Sequence, residues 1–260
     1  MKGFTLIELS VVIVIIGLII GGVLVGRDLI ASAGIRAQVS QIEKYNATVH
    51  TFRTKYGGLP GDLTRADASG FGLYAITYAP YLANPGYGDN NDIINSRNAS
   101  STNLAGEPFM FWRQLSDAQI IDGAYGSLLN TAAECGTGGT AENFFPASKI
   151  GKGYVEANTA GNGVNYFLIV NLTSLGGCGA GGGAHSTNAN ALTAQEAYAI
   201  DSKIDNGLPG SGTVFAINGA ANLNLYASWT TVSAVAGCVA SSAYALTQTT
   251  QSCSLRFKFQ

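Results

Sequence analysis

Residues 3–25 read GFTLIELSVVIVIIGLIIGGVLV, and the fold turns on this stretch. From Phe4 to Val25 there are 22 residues: 16 large and apolar, three Gly, Thr5, Ser10 and one charge, Glu8. An apolar run of about 20 residues spans a hydrocarbon layer about 30 Å thick and exceeds the ~7–15-residue core of a secretory signal. No small-x-small cleavage site with a change of composition follows it. The helical pattern instead runs on past Arg27. Ile35, Val39, Ile42, Tyr45, Val49, Phe52 and Tyr56 recur at steps of 4, 3, 3, 4, 3 and 4, the single stripe of an amphipathic helix. It stops at Gly57-Gly58-Leu59-Pro60-Gly61, where Gly costs helix entropy and Pro blocks continuation. The spacing predicts one helix from Phe4 to Tyr56, 53 residues or about 80 Å long at ~1.5 Å per residue. Its first half is apolar all round and suits lipid or a bundle of like helices; its second half suits packing on a body. Gly17-xxx-Gly21 and Gly22-xxx-Gly26 are spacings that let apolar helices approach closely.

Composition narrows the function classes. A net charge of −2 with 12% charged residues gives no basic footprint for nucleic acid or anionic lipid. Gly makes up 34 of 260 residues, which indicates a loop-rich body. So few surface charges suit a subunit that packs against copies of itself. Cys135, Cys178, Cys238 and Cys253 all lie beyond the apolar segment, none in a C-x-x-C pair, and His50 and His185 have no metal-ligand spacing to them. Four scattered cysteines beyond a membrane segment read as two disulfides in an oxidising compartment, with three pairings open.

The segment MKGFTLIELSVVIVIIGLII resembles the N-terminal signature of type IV prepilins and type II secretion pseudopilins. The matching features are a very short basic leader, Gly3, the aromatic Phe4, and Glu8 as the fifth residue after the Gly, followed by an apolar run. The resemblance implies cleavage between Gly3 and Phe4 by a prepilin peptidase, N-methylation of Phe4, and assembly into a helical filament through the apolar helix. Phe4 and Glu8 are then the assembly residues, the carboxylate of one chain meeting the new α-amine beside it. The implied partners are other copies or pilin-like subunits, the peptidase and an inner-membrane assembly platform. The implied location is a single pass through the inner membrane, N-terminus cytoplasmic, and a periplasmic or extracellular filament after assembly. A disulfide-bounded C-terminal loop is implied as well, pairing Cys238 with Cys253 and leaving Cys135 and Cys178 for each other. Two features depart from the pattern: the leader has three residues, and the apolar half lacks the proline many pilins carry. Gly21, Gly22 and Gly26 are the candidates for local unwinding in its place.

The expected fold class is α+β and pilin-like: a leader (1–3), a transmembrane and assembly helix (4–26), its amphipathic continuation (27–56) and a head with an antiparallel sheet (57–260). Within the head, residues 57–104 read as a long loop with small elements. Glu107–Leu115 reads as a short helix, followed by a capping box at Ser116–Gln119. Thr193-x-x-Glu196 opens a helix to about Ile204. Strands are expected at 164–172, 213–218, 223–232 and 254–259. The last alternates Leu255, Phe257 and Phe259 with Arg256 and Lys258, which predicts an edge strand with its basic face outward. Trp112 and Trp229 read as core, and His50 as exposed.

No catalytic residue or cofactor is assigned. Asp89-Asn-Asn-Asp92 begins like a calcium loop, with Asp89 and Asn91 as ligands, but Ile93 falls where a ligand belongs, so it reads as a polar turn. Asp201 and Asp205, one helical turn apart, are the other candidate calcium ligands and read as a solvated helix face. Three functions remain: a filament subunit, a minor pilin whose head grips a ligand or surface at the filament tip, and a membrane-tethered enzyme. The N-terminus favours the filament class, in which the chain is not an enzyme.

Overall fold

The computed structural model describes residues 5–73, 88–94, 107–126, 141–151, 153–159, 163–175, 186–217 and 236–259. The long helix, α1, runs over Leu6–Tyr56. From Leu6 to Ala33 its side chains are exposed apart from a half-covered Gly26, and from Ile35 onward one face is buried. The buried stripe holds Ile35, Ile42, Tyr45, Val49 and Phe52, as the periodicity predicts, and also Gln38, Gln41 and Thr48. Burying an amide is costly unless it is hydrogen-bonded. These amides are: Gln38 Nε2 donates to Gln41 Oε1 (3.1 Å), and Gln41 Nε2 donates to Tyr45 Oη (3.0 Å) and to the Ala147 carbonyl (2.9 Å). The Lys149 N–H donates to Gln38 Oε1 at 2.7 Å, so the ladder stitches α1 to the head.

The helix ends at Gly57, whose φ of 77° lets its N–H reach the Arg53 carbonyl at 2.9 Å. A short helix α2 (Arg65–Gly70) lies within the expected loop. Helix α3 spans Glu107–Asp117 and α4 spans Ala194–Ile204, the latter opened by the Thr193/Glu196 box. The Ser116–Gln119 box does not form. Ser116 lies in the last turn of α3 with its hydroxyl donating to the Gly123 carbonyl, and Gln119 is left-handed at φ 58°.

The strands are β1 (Tyr154–Thr159), β2 (Asn165–Leu175), β3 (Ser186–Ala189), β4 (Leu192–Thr193), β5 (Val214–Ile217), β6 (Val239–Ala240), β7 (Ala243–Tyr244) and β8 (Gln251–Phe259). All pairings are antiparallel. The main sheet runs β1-β2-β8-β4, with β5 also on β8 and β3 on β2, while β6 and β7 form a separate hairpin. The α+β, pilin-like class is therefore observed: a long N-terminal helix followed by a globular part with an antiparallel sheet.

The C-terminal strand departs from its expected place. β8 is interior, with β2 paired along Leu255–Phe259 on one side and β5 along Ser254–Phe257 on the other, while β4 pairs with its first residues. One face carries Leu255, Phe257 and Phe259, packed with Phe167 and Ile169 of β2 against Tyr45, Phe111 and Trp112. Phe167 and Phe259 stack with centroids 4.2 Å apart. On the other face Arg256 does not point to solvent. It is 7% exposed, its guanidinium 4.8 Å from the ring centroids of both Tyr166 and Phe215. Those two cation–π contacts offset part of its desolvation, and only Lys258 of the pair is exposed. Residues 223–232 and Trp229 lie outside the described residues.

Candidate functional site

At the N-terminus, Thr5 caps α1 and Glu8 closes the box. Glu8 Oε2 accepts from the Thr5 N–H and from Thr5 Oγ1, both at 2.8 Å, and the Glu8 N–H donates to Thr5 Oγ1 at 3.3 Å. The carboxylate thereby folds back onto the first turn of α1. Thr5-x-x-Glu8 has the spacing of a capping box, and that pattern could have found Thr5 from the sequence. Gly3 and Phe4 lie outside the described residues. Beyond the box, large apolar side chains from Leu6 to Ile30 stand in the open, and this is a helix long and apolar enough to cross a membrane. No Cβ placed at Gly17, Gly21, Gly22 or Gly26 would meet a neighbour within the chain.

At the other end of α1 the Gly58–Asp62 turn organises the head. Leu59 enters the core, and the Gly61 N–H donates to Gln114 Oε1 at 2.7 Å. The Asp62 carboxylate is gripped by backbone: Oδ1 accepts from the N–H groups of Asp89 (3.2 Å), Asn90 (2.9 Å) and Asn91 (3.4 Å), and Oδ2 from that of Asp92 (2.7 Å). The Asp89–Asp92 turn thus wraps an anion with its amides. Left-handed Asn90 and Asp92 (φ 57° and 66°) point the N–H groups inward. Arg53 Nη2 meets Asp92 Oδ2 at 2.8 Å, and Asn165 Nδ2 donates to the Asp92 carbonyl at 2.8 Å, tying the turn to α1 and to β2. Asn91 Oδ1 accepts from the Ile93 N–H. Carboxylate oxygens of Asp62, Asp89 and Glu107 converge within 4.8 Å. Of the three, Asp62 already accepts from four backbone N–H groups, which hold its carboxylate as an anion nest does. Burial pushes Asp62 up to about 6 despite those donors.

Asp201 and Asp205 do not form a solvated face. Asp201 is buried, accepting from Tyr244 Oη (2.8 Å) and the Gly207 N–H (3.1 Å). Asp205 Oδ2 accepts from the Thr213 and Val214 N–H groups. Their carboxylates serve two separate loop closures. Cys238 and Cys253 form a disulfide with Cα atoms 5.0 Å apart, joining the β6–β7 hairpin to the interior strand β8. Cys135, Cys178 and His185 lie outside the described residues. His50 is exposed on α1, and Trp112 is fully buried.

One buried acid had no sequence signal. Glu156 on β1 is 1% exposed; Oε1 accepts from Asn158 Nδ2 at 3.2 Å, and Oε2 has no hydrogen-bond partner among the described residues. Burial pushes it up to about 7. A carboxyl raised in the folded state favours folding below its unfolded value, near 4.5, and that contribution is lost as pH rises through about 7. Asp62 acts in the same direction near 6. The head is therefore expected to be less stable at pH 8 than at pH 5, by an amount on the order of 2–3 kcal/mol. Glu156→Gln should flatten most of that slope in melts recorded across the range. An unchanged slope in the variant would remove Glu156 as its source.

Residues 1–24 match the family model for the prokaryotic N-terminal methylation motif, the prepilin-type signature of type IV pilins and pseudopilins. No curated protein and no solved structure matches the chain. The signature and the apolar helix behind it fit a membrane-anchored precursor.

Proposed function

We propose that the chain is a structural subunit of a type IV pilus or type II secretion pseudopilus. In this reading a prepilin peptidase cuts between Gly3 and Phe4, Phe4 is N-methylated, and an assembly platform in the inner membrane polymerises the mature chain through α1. It polymerises with copies of itself or with other pilin-like subunits, into a periplasmic or extracellular filament, and carries out no catalysis. The observation that carries the reading is the pairing of a methylation motif over residues 1–24 with a helix whose apolar side chains stay uncovered from Leu6 to Ile30. Lipid covers such a surface before assembly, and other helices cover it afterwards. In a dry filament core Glu8 requires a cation, and the segment from Phe4 to Val25 contains no Lys or Arg. The new amine at Phe4 supplies one.

Immunogold labelling of sheared filaments with an antibody to the head tests this. Labelling along the shaft supports a structural subunit, and labelling at one end alone supports a tip module. Absence from filaments under conditions where they form would refute the reading.

A further inference from the structure

Lipid and the head do not account for the whole of α1 between them. The apolar run from Leu6 to Val25 fills a layer about 30 Å thick, and the head begins at Gly34, which sits against Ile150. Residues 26–33 form a collar about 12 Å long at ~1.5 Å per residue. Arg27 and Asp28 mark its wet edge, yet the next two residues, Leu29 and Ile30, are apolar and 66% and 75% exposed. Neither Arg27 nor Asp28 has an ion-pair partner among the described residues.

The head carries a matching surface. An open groove of about 450 Å³ runs beside α1, lined by Ala37, Ile121, Pro146 and Tyr45 together with the charged Lys44, Asp122 and Lys149. Lys44 pairs with the exposed Asp122 at 3.1 Å, and Lys149 has no ion-pair partner among the described residues. Lys149 sits level with Gln38, which accepts its N–H. Asp28 lies 10 residues below Gln38 and 16 below Lys44. A parallel neighbour displaced outward along the filament by about 15–24 Å would bring its collar to this groove.

We propose that the collar is a subunit interface: Leu29 and Ile30 of one copy seat in the groove of the next copy, with Asp28 against Lys149 and Lys44. The proposal rests on the assembly reading above and specifies which surfaces meet. A second copy is the occupant because the collar continues the uncovered face of α1, and because Asp28 beside two apolar residues complements a part-apolar groove whose lining holds Lys149, without an ion-pair partner among the described residues, beside the Lys44–Asp122 pair.

Charge exchange in full-length chains tests it, read as the amount of subunit in sheared filaments relative to wild type. Asp28→Lys should lower incorporation about tenfold, Asp28→Asn less, and Asp28→Lys combined with Lys149→Asp should recover most of the loss. Circular dichroism of the detergent-solubilised precursors checks that the variants fold. Asp28→Cys and Lys149→Cys in differently tagged copies should cross-link in filaments. Normal incorporation of Asp28→Lys, or a folded double variant no better than the single one, overturns the collar interface while the assembly reading stands. Failure of the wild-type chain to enter filaments overturns both.

Discussion

Glu8→Leu should leave membrane insertion intact and cleavage largely so, while filament incorporation falls at least tenfold. An ionised carboxylate at a bilayer centre costs about 2.5–3.5 kcal/mol on insertion scales. Glu8 lies one turn from the helix start, near the interface, so the cost before assembly is smaller. In the assembly proposed above it rises as α1 enters a dry filament core, where the amine of Phe4, in the same chain or the one beside it, would be the available cation. The structure adds a second role, since the same carboxylate holds the Thr5 N–H and hydroxyl. Losing a cap costs about 1 kcal/mol, too little to abolish assembly. Glu8→Gln separates the two roles: its amide oxygen can still accept from Thr5, but it carries no charge. If charge pairing drives docking, Gln fails nearly as badly as Leu. Normal incorporation of Glu8→Leu would show that the charge is not a docking device.

Gly61→Ala should destabilise the head by about 3–5 kcal/mol, a large part of the ~5–15 kcal/mol that holds a typical domain together. Gly61 has φ 84°, a conformation that costs an L-residue about 1–2 kcal/mol. A Cβ there would also run into the Glu107 carbonyl oxygen and lie 2.9 Å from the Phe111 nitrogen, both backbone atoms of α3 that cannot swing aside. Relief requires the turn to move off α3, breaking the bond from Gly61 to Gln114 and shifting Asp62 out of its nest. Gly72 supplies the control, with a φ of 73° and open space around it, so Gly72→Ala should show the conformational cost alone. Melts followed by tryptophan fluorescence should drop by roughly 10 °C for Gly61→Ala. Equal effects from the two variants would mean that the packing against α3 contributes nothing.

What the sequence disclosed follows from the length of each signal. α1 was legible because its pattern persists for some fifty residues, and α4 because Thr193 and Glu196 satisfy its first turn reciprocally. The buried amides of Gln38 and Gln41 were not legible, since their partners are the backbone of residues 147 and 149, more than a hundred positions away. β8 was misplaced because alternating Leu-Arg-Phe-Lys-Phe reads as half-solvated. Only the packed rings of Tyr166 and Phe215 make room for a buried arginine. β1 escaped notice for the same reason, with Glu156 and Asn158 on a face that turns out to be buried. The Asp62 nest uses backbone N–H groups, which every residue but proline carries, so side-chain patterns could not reveal it. They gave instead a polar turn at Asp89–Asp92, with Asp89 and Asn91 weighed as calcium ligands. At the N-terminus the sequence reading of Glu8 did not include Thr5, its hydrogen-bond partner.

Processing and polymerisation are tested most directly by the intact mass of the chain recovered from sheared filaments. The expected mass lacks Met1 to Gly3 and carries one added methyl, placed on Phe4 by fragmentation. A filament form that retains Met1 or Lys2 would contradict the assignment.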